Sequence, residues 1–314
     1  MNEAQPQISR DATTGALQGP GIPLLRFATY AAVLIATFLA VVKLYAWIET
    51  GSVAMLSSLV DSVLDALASM VNLIAVRAAL APHDREHRFG HGKAEPLAGL
   101  IQAVIISASV IFVLAEAIPR FLDPVPVIQG EIGLGVMVVS IVLTGALVAL
   151  QRHATRRTGS VAISADSLHY RSDLLMNLGV IAALVIATYG GLAIFDPLFA
   201  VIVAAYVLFS VWCIIRKSYD MLMDREFPDE ERARIRAIAQ HHPEVLAVHD
   251  MRTRQAGIHS FVQLHIELPA GMSLRRAHVI SDEVEAEIRQ AYPETDVIIH
   301  QDPEGIDETR AEFT

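Results

Sequence analysis

The chain has 314 residues, 53% of them hydrophobic, with a mean hydropathy of +0.44 and a formal charge of −10. That is too apolar for an ordinary soluble protein and points to a polytopic membrane protein. The acidic balance argues against nucleic acid as a partner. The one cysteine, Cys213, excludes an intrachain disulfide and CxxC-type thiolate metal sites.

Residues 1–22 are polar and lack an apolar core ahead of a small-residue cleavage site, so they read as a disordered tail rather than a cleavable signal. Six apolar segments follow, over 23–218: Leu24–Trp47, Val53–Ala79, Ala94–Ile118, Ile132–Gln151, Val161–Thr188 and Phe195–Ile215. Arg77, Arg85, Arg88 and Lys93 flank or fill the second-to-third connection. Arg152, Arg156 and Arg157 do so in the fourth-to-fifth, and Arg216, Lys217 and Arg225 follow the sixth segment. The positive-inside rule therefore puts both termini in the cytoplasm.

The second segment contains Asp61 and Asp65. A charged side chain at the middle of a span costs at least ~2.5–3.5 kcal/mol. Positions i and i+4 share a helix face, and Ser58, Ser69 and Asn72 extend that face into a polar stripe without Lys or Arg. The fifth segment repeats the spacing with His169 and Asp173. Three carboxylates and one imidazole suit a tetrahedral divalent ion such as Zn2+, and also Fe2+, Co2+ or Cd2+. The residues alone leave a divalent metal and a pure proton relay both open.

The remainder, 219–304, is soluble in character. From Arg225 onward there are eighteen Asp or Glu and ten Lys or Arg. The pattern predicts a helix from Asp229 to about Gln240 and a strand over Val245–Arg254. A turn at Gly257, an alternating strand over Ser260–Leu268, a helix over Leu274–Ala291 and a strand over Asp296–Asp302 follow. The expected fold class is thus a polytopic α-helical membrane protein with six transmembrane helices. It carries a C-terminal cytoplasmic α+β domain of order αββαβ, ferredoxin-like in character. Residues 305–314 read as a frayed tail.

Asp61-x-x-x-Asp65 on the second of six spans, with His169-x-x-x-Asp173 on the fifth, resembles the cation diffusion facilitator family. So do the run from His87 to Glu95, Ala165-Asp166-Ser167-Leu168-His169, and Ile299-His300-Gln301-Asp302-Pro303. The likeness covers nearly the whole chain after the first twenty residues and is closest to the bacterial zinc and ferrous-iron efflux pumps of that family. It implies a homodimeric secondary transporter of the bacterial inner membrane, not an enzyme, that exports Zn2+ or Fe2+ in exchange for protons. Asp61, Asp65, His169 and Asp173 would form its transport site. The resemblance also implies a loop metal site of Asp84, His87 and His91. In the cytoplasmic domain it implies a regulatory site of His249, His265, His278, His300 and Asp302, with the aspartate bridging two ions. A salt bridge between Lys93 and Asp224 at the membrane junction would complete the set. A metal sensor without transport and a proton-only carrier are the rivals.

Other polar residues receive plainer readings. His83, His153, His241, His242 and His259 are expected to be solvated. Arg171 is expected to snorkel, Asp166 to be an interfacial acid, and Trp47 and Trp212 to anchor the membrane interface.

Overall fold

The computed structural model describes residues 21–51, 53–122, 131–190 and 195–305. The two expected tails, apart from their inner ends, lie outside the described residues, as do 123–130 and 191–194. The chain divides into two compact units, the first ending at Asp220 and the second beginning at Met221.

The first unit is built of six long helices: α1 (Ile22–Thr50), α2 (Val53–Ala79), α3 (Ala94–Leu122), α4 (Glu131–Thr158), α5 (Val161–Gly190) and α6 (Phe195–Leu222). Among the described residues, five stretches are apolar and long enough to cross a membrane: Ile22–Glu49, Ser58–Ala79, Ala94–Phe112, Gly135–Thr158 and Val201–Leu222. The thirty residues of α5 exceed the twenty or so that a ~30 Å hydrocarbon layer requires.

Local chemistry sets the corners. A proline at the start of α1 supplies a fixed φ where its missing N–H costs nothing, and Gly51 ends that helix at φ +59°, its N–H on the Trp47 carbonyl at 2.8 Å. Gly159, at φ +69°, closes α4 with its N–H on Thr155 O. Ser160 then starts α5, its Oγ accepting the Ile163 N–H at 3.3 Å. The same hydroxyl meets Glu95 Oε1 at 2.5 Å, so the buried Glu95 of α3 ties that helix to the start of α5.

Helix α1 packs on α2 and α4, α5 on α3 and α4, and α2 on α3 and α5. Ala32 and Ala36 of α1 meet Leu147 of α4 and Tyr170 of α5 in one buried cluster, small residues letting the helices close. Phe27, Leu34, Phe38 and Val41 of α1, with Phe209 and Trp212 of α6, point outward. Such an apolar surface suits lipid and not water.

The second unit has the order α7 (Asp229–His241), β1 (Ala247–Ala256), β2 (His259–Leu268), α8 (Leu274–Ala291), β3 (Thr295–Pro303). The sheet runs β1-β2-β3, with β1 antiparallel and β3 parallel to β2. The expected αββαβ pattern is present, with strand ends moved by one or two residues. Gly257 makes the β1–β2 turn at φ +63°. Ser273 caps α8, accepting the Arg276 N–H. Val262, Leu264, Ile266 and Leu268 of β2 meet Ala277, Ile280, Val284 and Ile288 of α8 and Ile235 of α7 in one core. This leaves the opposite sheet face for other side chains, although Phe261 there is also buried, beneath the Arg254 guanidinium at 4.3 Å.

Two histidines expected in solvent are not there. His242 is buried, its Nε2 on Glu283 Oε2 at 2.9 Å. His259 is half-buried at the head of β2, and that burial holds its imidazole below the ordinary value of 6.5. The unfolded chain therefore binds this proton more readily, so the group lowers the stability of the cytoplasmic unit as pH falls below about 6.5 and has no such effect above it. Hydrogen exchange of the β2 amides at a series of pH values should show this slope, reduced in His259→Gln. An equal slope in the variant would assign it to other groups.

Candidate metal centres

Helices α2 and α5 lie side by side and bring the intramembrane acids together. His169 Nε2 is 2.8 Å from Asp65 Oδ1 and 3.8 Å from Asp173 Oδ2. One ligand atom from each of Asp65, His169 and Asp173 lies within 4.8 Å of the others. Asp173 Oδ2 is buried and has no hydrogen-bond partner among the described residues. An orphaned carboxylate oxygen in an apolar bundle is costly, and a cation beside His169 and Asp65 would satisfy it. Asp61 stands outside the compact group, exposed one turn earlier on α2.

The polar stripe of α2 does have a positive partner, from another helix. Lys43 of α1 donates to Ser62 Oγ at 2.6 Å and to the Ser58 carbonyl at 3.3 Å. A lone lysine near the end of an apolar span reads as a snorkelling residue, which is why the sequence does not flag it.

Asp166, one turn before His169, is not an interfacial acid. It is fully buried, accepting from Gln151 Nε2 at 2.6 Å, Ser69 Oγ at 3.3 Å and Gln102 Nε2 at 3.4 Å. Ser69 also meets the Tyr170 hydroxyl at 2.7 Å. Four helices thus converge on one carboxylate and hold α5 in rotation, which aims His169 at Asp65. The sequence signal was a set of single polar residues in otherwise apolar spans. Arg171 reaches across to Tyr206 of α6, donating from Nη2, with its guanidinium 5.8 Å from the ring centroid.

The second cluster lies between α2 and α3. Asp84 Oδ1 accepts the backbone N–H groups of Glu86 at 2.9 Å and His87 at 2.6 Å. Those bonds, the His87 one foremost, hold its carboxyl below the usual range. His87 Nδ1 is 3.3 Å from Oδ1 and His91 Nε2 is 3.4 Å from Oδ2. The rings are 4.5 Å apart, and His91 Nδ1 is buried without a hydrogen-bond partner among the described residues. The donor set fits a divalent ion.

The third cluster is a cross-strand ladder. His249 of β1 is in register with His265 of β2, and His265 with His300 of β3. Two residues past His300 on the same face, the buried Asp302 collects all three. Its Oδ2 is 3.1 Å from His249 Nε2 and 2.9 Å from His265 Nδ1, while Oδ1 is 3.2 Å from His300 Nε2. One oxygen faces two imidazoles and the other faces one, an arrangement that fits a bridging carboxylate. His278 is outside this group, exposed on α8 with Nε2 3.6 Å from Asp282 Oδ2. Gln301 donates to Ser281 Oγ at 2.7 Å. Asp224, at φ +53°, takes a bond from Arg254 Nη1 at 3.4 Å.

The sequence profile of the cation efflux transmembrane domain matches residues 29–223, and that of the cation efflux protein cytoplasmic domain matches 227–304. The chain belongs to the cation efflux family. It is 45% identical over 285 residues to the cation-efflux pump FieF of Shewanella oneidensis, covering 91% of this chain and 96% of that one. It is 44% identical over 280 residues to that of Cronobacter sakazakii, covering 89% and 93%. A solved structure titled "Mode of Action of a Putative Zinc Transporter CzrB" is 40% identical, covering 25% of this chain and 99% of that chain, with a TM-score of 0.25.

The buried network gives a test. Asp166→Ala removes the shared acceptor of three donors and should cost the membrane unit about 1–3 kcal/mol, read as a lowered unfolding temperature in detergent. Asp166→Asn, which keeps an acceptor oxygen, should lose less. Equal stability of Asp166→Ala and wild type would refute the network's role.

Proposed function

We propose that this chain exports divalent metal cations across the bacterial inner membrane in exchange for protons, as a homodimer with both termini in the cytoplasm. The observation that carries the reading is the convergence of Asp65, His169 and Asp173 inside the helix bundle, with Asp173 Oδ2 lacking a hydrogen-bond partner among the described residues. Asp61, one turn away on α2, is assigned as the fourth ligand, joining on metal entry. The mixed oxygen and nitrogen set supports Zn2+ or Fe2+, with Cd2+ and Co2+ as further cargo.

Metal binds these groups only when they are deprotonated. Protons arriving from the outward side displace it, with the imidazole of His169 able to take one on the nitrogen the metal leaves. The two cations thus compete for one site and their fluxes are coupled. Shifts of the α2–α5 pair, with the Asp166 network keeping α5 in register, would expose the site to each side in turn.

Asp84, His87 and His91 are assigned to a loop metal site. His249, His265, His300 and Asp302 are assigned to a regulatory site whose bridging aspartate would hold two ions. His278, outside the compact group, is kept as a proposed further member of that site. A metal bound there stabilises whichever arrangement binds it better. The Lys93–Asp224 pair is proposed as a junction contact, with Arg254 already sharing the aspartate.

The test is Zn2+ uptake into proteoliposomes under an imposed pH gradient. Wild type should transport, and Asp65→Ala or His169→Ala should lose at least about tenfold, the equivalent of ~1.4 kcal/mol of binding. His169→Asp, with an all-oxygen site, should weaken Zn2+ relative to Mn2+. Full flux in both alanine variants would contradict the assignment, and proton flux without Zn2+ binding would favour the proton carrier.

A further inference from the structure

We propose that Arg171 of α5 and Tyr206 of α6 form a positioning pair for the intramembrane site, holding the turn that carries His169 and Asp173. The inference rests on the transport reading above, which gives neither residue a part.

Arg171 stands two residues after His169 and two before Asp173. At about 100° and 1.5 Å per residue it lies about 160° round α5 from each of them, and only ~3 Å along the axis. It is at the depth of the site but on the far face of the same helix. An arginine inside a span is costly without a partner. Here Nη2 donates to the Tyr206 hydroxyl, and the guanidinium carbon is 5.8 Å from the centre of that ring. One tyrosine thus offers the planar cation both an oxygen acceptor and a π face.

Two anchors then act on α5 from different sides. Asp166, one turn before His169, takes bonds from Gln151 of α4 at 2.6 Å, Ser69 of α2 at 3.3 Å and Gln102 of α3 at 3.4 Å. Arg171, about 140° round the helix from Asp166, ties the next turn to α6. His169 falls between them in sequence. Lys217 of α6 also reaches the Gly159 carbonyl, just ahead of α5, at 3.1 Å. So α6 is joined to this part of the chain at the start of α5 and again at the depth of the ligands. Anchors on two faces set the rotation of α5 where one would leave it free to tilt. The site needs that precision, because a tetrahedral ion tolerates little error in where its ligands stand. Arg171 is not itself a ligand, since a guanidinium has no lone pair to offer. It acts through the backbone of α5.

The experiment measures Zn2+ and Mn2+ uptake by full-length Arg171→Met, Tyr206→Leu, the double variant and Arg171→Lys in proteoliposomes. KM for Zn2+ should rise about tenfold in each of the first two, with kcat changed by less than about twofold. The preference for Zn2+ over Mn2+ should shrink, since a loosened site no longer selects tetrahedral geometry. The double variant should be no worse than either single one, the mark of two residues acting as a unit. Arg171→Lys, which keeps the charge and loses the planar fork, should raise KM by about threefold. A wild-type KM in Arg171→Met and Arg171→Lys, losses that add in the double variant, or a loss in kcat alone overturns the inference while leaving the transport reading intact. Wild-type vesicles that take up no Zn2+ overturn the transport reading and this inference with it, which separates the two failures.

Discussion

Carboxylates inside an apolar helix bundle need a cation, and most of this structure can be read as the way one is supplied. Asp65 and Asp173 are on different helices, yet both reach His169 Nε2. No residue in the compact group supplies a fixed positive charge. The imidazole gains a proton or loses it, and a metal competes for the same lone pair. Lys43, one helix away, donates to Ser62 on the helix that carries Asp65. A site so composed is costly when empty, and on the proposed reading that cost makes exchange obligatory: whatever leaves must be replaced.

The geometry depends on features that do not touch the cargo. Small residues on α1 let it close on α4 and α5 around Tyr170. Gly159 and Ser160 turn the chain sharply into α5. The Asp166 network then fixes the rotation of that helix. The cytoplasmic unit follows a parallel logic in β structure. One face of the sheet is filled by α8, and the other is left to carry a row of histidines brought level by strand register.

Much of this was legible in the sequence, for physical reasons. Spans show in hydropathy because the bilayer demands about twenty apolar residues, and the αββαβ order shows in the change of period. Asp61, Asp65, His169 and Asp173 stand out because charges in spans are costly. The histidine ladder was visible as a set of residues, but its register was not, since register depends on a bulge after His249. Residues with common innocent readings were hidden. Lys43 was not singled out, Asp166 looked like an interfacial acid, and His242 and His259 looked solvated. Each owes its environment to a partner element distant in sequence, which no local pattern reveals. Asp61 was grouped with Asp65 by spacing, yet the compact group excludes it.

The central claim is that one intramembrane cluster of mixed oxygen and nitrogen ligands holds the cargo. Zinc X-ray absorption on full-length protein would test it most directly, with Asp84, His87, His249, His265, His300 and Asp302 replaced by alanine so that the intramembrane cluster remains. The account predicts bound zinc with oxygen and nitrogen ligands, a single imidazole and no sulfur, lost on adding Asp65→Ala. Zinc with several imidazoles, or zinc retained after Asp65→Ala, would contradict it.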